Sequence, residues 1–378
     1  MASIYPSRIQ LENIDWEVVD KWNAGVDFGI LNDKVLFTVD LYKNVTNNLL
    51  QKGMKLPSST GFSKLEWFNS GKMTNRGWEF RVDLNDIVKT KDWRFTFSFN
   101  ISQNENKVNE FPSNLDMENY EFDNGNYAYL IMAGNPLGSF YGYRYKGVYQ
   151  NVDDTYARDL NGNYIYDIDG KHVIMSNGTL QVYPGDDKYE DINGDGVIDA
   201  NDIVYLGNYS PKLLGGFNFR LSYKNWQLSA NFQGRVGQKV FNQTRLNSEQ
   251  MRGNSNQSTA TLRRWRNEGD ITDMPRALYG RGYNSLGSDR YIEDASFLRM
   301  KTITLKYSFP RNLTRKMHLS AFDLYVTAYD LLTFTKYSGQ DPEVGDKKID
   351  DAGIIRLAVD GASTPKPIRV KFGINLRF

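Results

Sequence analysis

The chain has 378 residues and a formal net charge of +1, which gives no electrostatic reason to expect nucleic acid. It contains no cysteine, so disulfides and thiolate chemistry are excluded. Aromatic residues reach 14% while the mean hydropathy is −0.57, and no apolar run approaches ~18 residues, so no transmembrane helix is expected.

That combination fits a chain in which apolar and polar residues alternate and cancel in the average. The first ten residues, MASIYPSRIQ, hold no basic segment followed by an apolar one, so no signal peptide is expected there. An extracytoplasmic role would then make this chain a processed product or a fragment. Residues 22–31 and 34–43 read as a hairpin about Asn32-Asp33, a good turn pair. Residues 78–85 alternate Trp78, Phe80, Val82 and Leu84 with Glu79, Arg81, Asp83 and Asn85. Residues 93–101 place Trp93, Phe95, Phe97, Phe99 and Ile101 on one face, with Arg94, Thr96, Ser98 and Asn100 on the other. A strand is expected near 138–150. A second hairpin, 215–224 and 226–240, turns at Lys224-Asn225. Strands near 297–309 and 320–334 follow. The chain closes on IRVKFGINLRF, where Ile368, Val370, Phe372, Ile374, Leu376 and Phe378 share a face. The expectation is about ten strands.

The connections are lopsided. Those at 32–33, 86–91, 224–225 and 310–317 are short, whereas 46–75, 106–136, 151–213, 241–296 and 337–365 are long. Short turns at one end and long loops at the other is the layout of an outer-membrane barrel. A soluble sandwich buries its apolar face, while a membrane barrel turns it to lipid, and alternation alone does not separate the two. Strands of about ten residues, aromatics toward strand ends and a last residue, Phe378, in register with the apolar face favour the barrel. Phe378 then reads as a barrel-assembly signal. Arg81, Arg94, Arg220, Arg369 and Lys371 fall on the polar face and read as lumen wall.

Several stretches, in order, resemble the C-terminal part of a SusC/RagA-type TonB-dependent outer-membrane transporter of Bacteroidetes. They are WEVVDKWNAGVDFGILNDKVLFTVDLYKNVTNNLL (16–50), STGFSKLEWFNSGKMTNRGWEF (59–80), GNPLGSFYGYRYKGVYQ (134–150), the stretch from DINGDGVIDAND to GQKVFN (191–242), YIEDASFLRMKTITLKYSF (291–309) and YDLLTFTKYSGQDPEV (329–344). The resemblance implies an all-β antiparallel transmembrane barrel of about 22 strands with a plugged lumen. It also implies a TonB-contacting segment, a SusD-like lipoprotein lid, an outer-membrane location, and import of glycan oligosaccharides or peptides. No plug-like domain or TonB box is found within 1–378. About ten strands would leave two apolar edges, near 22–31 and 366–378, which hydrocarbon does not tolerate. The remaining strands are expected in cis or in trans.

Residues 191–202, DINGDGVIDAND, are nearly the loop of a calcium-binding EF-hand. Asp191, Asn193, Asp195, Asp199 and Asp202 supply side-chain oxygens, and Val197 a backbone carbonyl. Position twelve is Asp in place of the usual Glu. The alternative is a turn-rich loop whose Asn, Asp and Gly serve backbone geometry. Residues 159–169 echo the pattern weakly through Asp159, Asn161, Asn163 and Asp167. His172 and His318 are isolated, and no G-x-S-x-G, Walker A or H-E-x-x-H is present, so no enzyme is expected. Trp67, Phe68, Tyr120, Phe122, Tyr127, Tyr129, Tyr279 and Tyr283 lie in loops, where they stack on ligands or cover small loop cores. A reading from another class is a secreted β-rich carbohydrate-binding module stiffened by calcium; a third is a small stand-alone porin.

Overall fold

The computed structural model describes residues 9, 14–51, 56–62, 65, 67–111, 132–280, 283–344, 348–349, 355–356, 358–362 and 364–378. The alternating segments form one sheet of nine antiparallel strands, each paired with its neighbours in chain order. They are β1 (Val18–Ile30), β2 (Val35–Asn47), β3 (Lys72–Lys89), β4 (Trp93–Glu110), β5 (Leu213–Tyr223), β6 (Trp226–Val236), β7 (Phe297–Ser308), β8 (Ala321–Thr335) and β9 (Arg369–Arg377). Among the described residues, β1 and β9 each have one unpaired edge, so the sheet is an open sector of an all-β wall.

The register explains the sequence pattern. Phe28, Phe37, Val82, Phe99, Phe217, Phe232, Met300 and Leu332 lie opposite one another in eight successive strands. A parallel row of polar positions, Asp27, Thr38, Arg81, Asn100, Gly216, Gln233, Arg299 and Thr333, occupies the other face. The apolar face is bare: Phe372 is 80% exposed, Val26 61% and Trp22 57%. Stacked pairs such as Phe28–Phe37 and Phe217–Phe232, with ring centroids 4.8 and 4.4 Å apart, stitch adjacent strands across it.

One expected strand is absent from the wall. Residues 138–150 form two short strands, Ser139–Gly142 and Tyr145–Val148, that pair with Val204–Asn208 and Asp187–Tyr189. Strand β4 instead pairs directly with β5. The expected loops 106–136 and 151–213 are therefore one connection, 111–212. The reason is parity. Two successive long loops in a meander would emerge at opposite ends, and merging them leaves every long connection at one end. The long ones are 48–71, 111–212, 237–296 and 336–368; the short ones are 31–34, 90–92, 224–225 and 309–320. The first hairpin also turns in four residues, Leu31–Lys34, with Leu31, Asn32 and Asp33 all at positive φ. The last short connection carries a small helix, Arg311–Lys316.

Candidate functional site: the loop-built mouth

The long connections build a layer with its own cores. Phe140, Val240, Phe241, Leu246, Tyr291, Ile292 and Tyr337 form one buried cluster, and Tyr143, Tyr149, Met175, Val182, Tyr189 and Ile198 form another. Backbone bonds tie separate connections together. Phe241 N–H donates to the Ala358 carbonyl (3.0 Å), Asp360 N–H to the Phe241 carbonyl (2.8 Å) and Tyr143 N–H to the Gly287 carbonyl (2.9 Å).

Buried charges clamp the same layer. Arg290 reaches Asp187 at 3.0 Å and Glu249 at 3.6 Å, and all three side chains are less than a tenth exposed. Arg276 donates twice to Asp186, at 2.7 and 3.1 Å, and Asn284 bridges to the same carboxylate at 3.1 Å. Burial pushes the Asp187 carboxyl up to about 7, against the pull of Arg290. Deep pairs of this kind add little net stability but become costly once one partner is lost. They fix geometry, and here they join connection 111–212 to connection 237–296.

A second charged cluster joins the mouth to the wall. Arg299 on the polar face of β7 is 4% exposed and meets Asp341 at 2.5 Å and Glu343 at 2.8 Å. Lys301 and Lys366 each reach Glu343 at 2.7 Å. The loop after β8 thus lies against the polar face, while the apolar face is left uncovered. Sequence reasoning missed this cluster. Its signal is a phase break in FLRMKTITLKYSF: the apolar run passes from even-numbered Leu298 and Met300 to odd-numbered Ile303, Leu305, Tyr307 and Phe309. A β-bulge at that point leaves Lys301 unpaired in both ladders, which keeps both apolar runs on one face.

Between the helix α1 (Gln243–Glu249) and Ser338, Gly339, Gln340, Asp360 and Ala362 lies a polar cleft of about 410 Å³, lined also by Asn242, Arg245 and Glu249. Arg245 is held at its rim by Glu249 (3.1 Å) and Glu293 (3.3 Å). Its size falls in the range of small-ligand pockets, and its lining offers hydroxyls, amides and charges of both signs. No reacting pair of groups is apparent in it.

The residues expected from sequence fall as follows. Arg81, Arg94, Arg220, Arg369 and Lys371 all sit on the polar face, spread over β3, β4, β5 and β9. Arg81 bonds Asp83 at 2.8 Å, Arg94 lies 3.7 Å from Asp86, and the Arg369 guanidinium lies 5.3 Å from the Tyr329 ring centre. They line one surface without gathering at one point. Phe378 follows β9 directly and is exposed. Tyr283 is buried in the loop layer and Tyr279 is exposed; Tyr120, Phe122, Tyr127 and Tyr129 lie outside the described residues.

In loop 191–202 the carboxylates turn to the loop's own backbone. Asp191 accepts from Gly194 N–H (2.8 Å), Asp195 N–H (3.3 Å) and Gly196 N–H (2.7 Å). Gly194 and Gly196 stand at φ +71° and +86°, where a side chain would be strained. Asp195 accepts from Val197 N–H and Asp199 from Asn201 N–H. Buried Asp202 clasps both halves of the loop, accepting from Ile192 N–H (2.7 Å) and Asp199 N–H (2.8 Å). Asn193 donates to Asp195. Among the described residues no group of three or more His, Cys, Asp or Glu is placed to hold a metal. The geometry is that of linked Asx-turns. Asp159 and Asp167 cap turns in the same way. His172 stacks among Tyr156, Tyr164 and Tyr166.

A sequence model of the family described as "TonB dependent receptor-like, beta-barrel" matches residues 3–182. Over these residues the chain is similar to the barrel of TonB-dependent receptors. The likeness continues past residue 182. TonB-dependent receptor P39 of Formosa agariphila is 30% identical over 400 residues, covering 98% of this chain and 36% of that protein. TonB-dependent receptor SusC of Bacteroides thetaiotaomicron is 29% identical over 369 residues, covering 97% of this chain and 32% of that protein. In three dimensions, the RagAB peptide transporter superposes with a TM-score of 0.71 at 26% identity, over 96% of this chain and 36% of that one. The chain therefore spans about a third of the length of these relatives. Among the described residues no helix is long and apolar enough to cross a membrane.

Proposed function

We propose that this sector forms barrel wall and outward mouth of a SusC-like importer in the bacterial outer membrane. Its apolar face meets lipid, its polar face meets a plugged lumen, and its loop layer docks a SusD-like lipoprotein. Glycan oligosaccharides or peptides bind between lid and plug, and the polar cleft beside α1 is the candidate contact for them. TonB supplies energy through a plug contributed, like the missing strands, by the rest of the receptor. The observation that carries this reading is the asymmetry of the sheet: a bare apolar face, and a polar face onto which the loop charges Asp341 and Glu343 fold. A secreted carbohydrate-binding module would have to leave that apolar face in water.

The test is uptake by cells carrying the complete receptor, with or without residues 237–296 replaced by a short linker. Loss of uptake of peptides or of oligosaccharides, with the barrel still inserted, is expected and identifies the cargo class. Partition of the wild-type receptor into the aqueous phase would end the proposal.

A further inference from the structure

The apolar face ends in an aromatic row at the short-turn end and in two tryptophans at the long-loop end. At the short-turn end Trp93 packs on Tyr223 (4.3 Å between ring centres), Trp226 on Tyr307 (4.7 Å) and Phe309 on Phe322 (4.3 Å). At the long-loop end stands Trp78, which donates its indole N–H to Gln103; Trp22 lies one pleat further out, opposite Lys43. From Trp93 to Gln103 is about ten residues, which at ~3.3 Å each and ~40° of tilt is about 25 Å, the height of a lipid-facing band.

Strands β2, β3 and β4 continue beyond that band without changing face. The next outward positions are Lys43, Arg76 and Glu105, cross-strand neighbours in one row, followed by Thr74 and Lys107. With Asn109 these line a shallow cavity of about 250 Å³. Arg76 is held by Glu105 at 2.8 Å, and Asn109 accepts from the Thr74 hydroxyl at 2.6 Å. Lys43 and Lys107 form no ion pair with a described residue, so the cavity carries a net charge of about +2. The flanking strands β5 to β9 offer no matching row, because they pass into loops at the height of the band.

We propose that this cavity binds the phosphate of a phosphorylated glycolipid headgroup in the outer leaflet. Lys43 and Arg76 stand on the lipid-facing side one pleat above Trp78, in the row of Trp22, and Lys107 and the Thr74 hydroxyl stand one pleat higher. That is the height at which headgroup phosphates lie, and basic residues there gain from anionic lipid. The opposite charge of Glu105 holds the guanidinium in place across the cavity floor. The proposal rests on the reading that the apolar face meets lipid.

The experiment uses the complete receptor in nanodiscs containing a bis-phosphorylated glycolipid or its dephosphorylated form, with bound lipid counted by native mass spectrometry. Affinity for the phosphorylated form falls roughly five-fold per lysine, on the order of 25-fold for the Lys43→Gln/Lys107→Gln pair. Lys224→Gln, in a short turn at the other end, leaves it unchanged. Equal binding by the double variant, or equal binding of the dephosphorylated lipid, overturns the proposal. Displacement of the lipid by millimolar inorganic phosphate also overturns it, because the cavity is then a free-anion site. A receptor that fails to enter nanodiscs refutes the membrane reading instead, so the two failures are distinguishable.

Discussion

Phe140 and Phe372 are both phenylalanines on β-strands, yet Phe140 is fully buried and Phe372 is 80% exposed. Phe140 belongs to the loop layer, where short strands, turns and a helix fold around two apolar clusters as in a soluble domain. Phe372 belongs to the wall, where the sheet has no second layer on its apolar side. The wall is stabilised by its ladders, by stacked cross-strand rings worth about 0.5–1.5 kcal/mol a pair, and by the solvent its apolar face meets. The loop layer carries the deeply paired charges, and the polar face is tied to it through Arg299 and Lys301. One chain thus holds two regions with opposite rules for burial.

Breaking the loop layer should have the largest effect. Arg290→Ala leaves Asp187 buried without its cationic partner, while Glu249 keeps Arg245, at about 3–5 kcal/mol. We expect rapid proteolysis within 111–212 and 237–296 while the barrel remains folded in detergent. Protection equal to wild type would mean that the clamp is dispensable. The wall gives the next largest effect. Phe99→Arg, on the apolar face near mid-height, costs about 2–4 kcal/mol in membrane-fold stability by denaturant titration, whereas Asn218→Arg on the polar face is close to neutral. Equal costs would refute the assignment of faces.

Loop 191–202 should give the smallest effect. Asp191→Ala removes three accepted amide bonds and loosens the loop locally by about 1–2 kcal/mol, seen as faster hydrogen exchange at Gly194 and Gly196. Equal exchange in calcium and in chelator in the wild type would leave the turn reading of these carboxylates standing. Calcium-dependent protection there would restore an ion to the loop.

Much of this was legible in the residues. The faces of β3, β4, β5, β6 and β9 follow from alternation, because a pleated strand sends successive side chains to opposite sides whatever lies around it. The polar-face positions of Arg81, Arg94, Arg220, Arg369 and Lys371 follow from the same rule. Residues 138–150 alternate too, and nothing local distinguishes a wall strand from a short strand in a loop. Only the parity of the connections and the pairing of β4 with β5 decide it. The Arg299–Asp341–Glu343 cluster and the Asp187–Arg290 pair were invisible because their members lie 42 to 103 residues apart.

The sequence by itself determined which residues face together and where the tight turns fall. Those are consequences of backbone period and turn chemistry, which act over a few residues. The tertiary structure decided which alternating segments join the wall, and that the calcium-type loop closes on its own amides. It also decided which charges meet. Each of these depends on contacts between distant segments, and their energies exist only once the chain has brought those segments together.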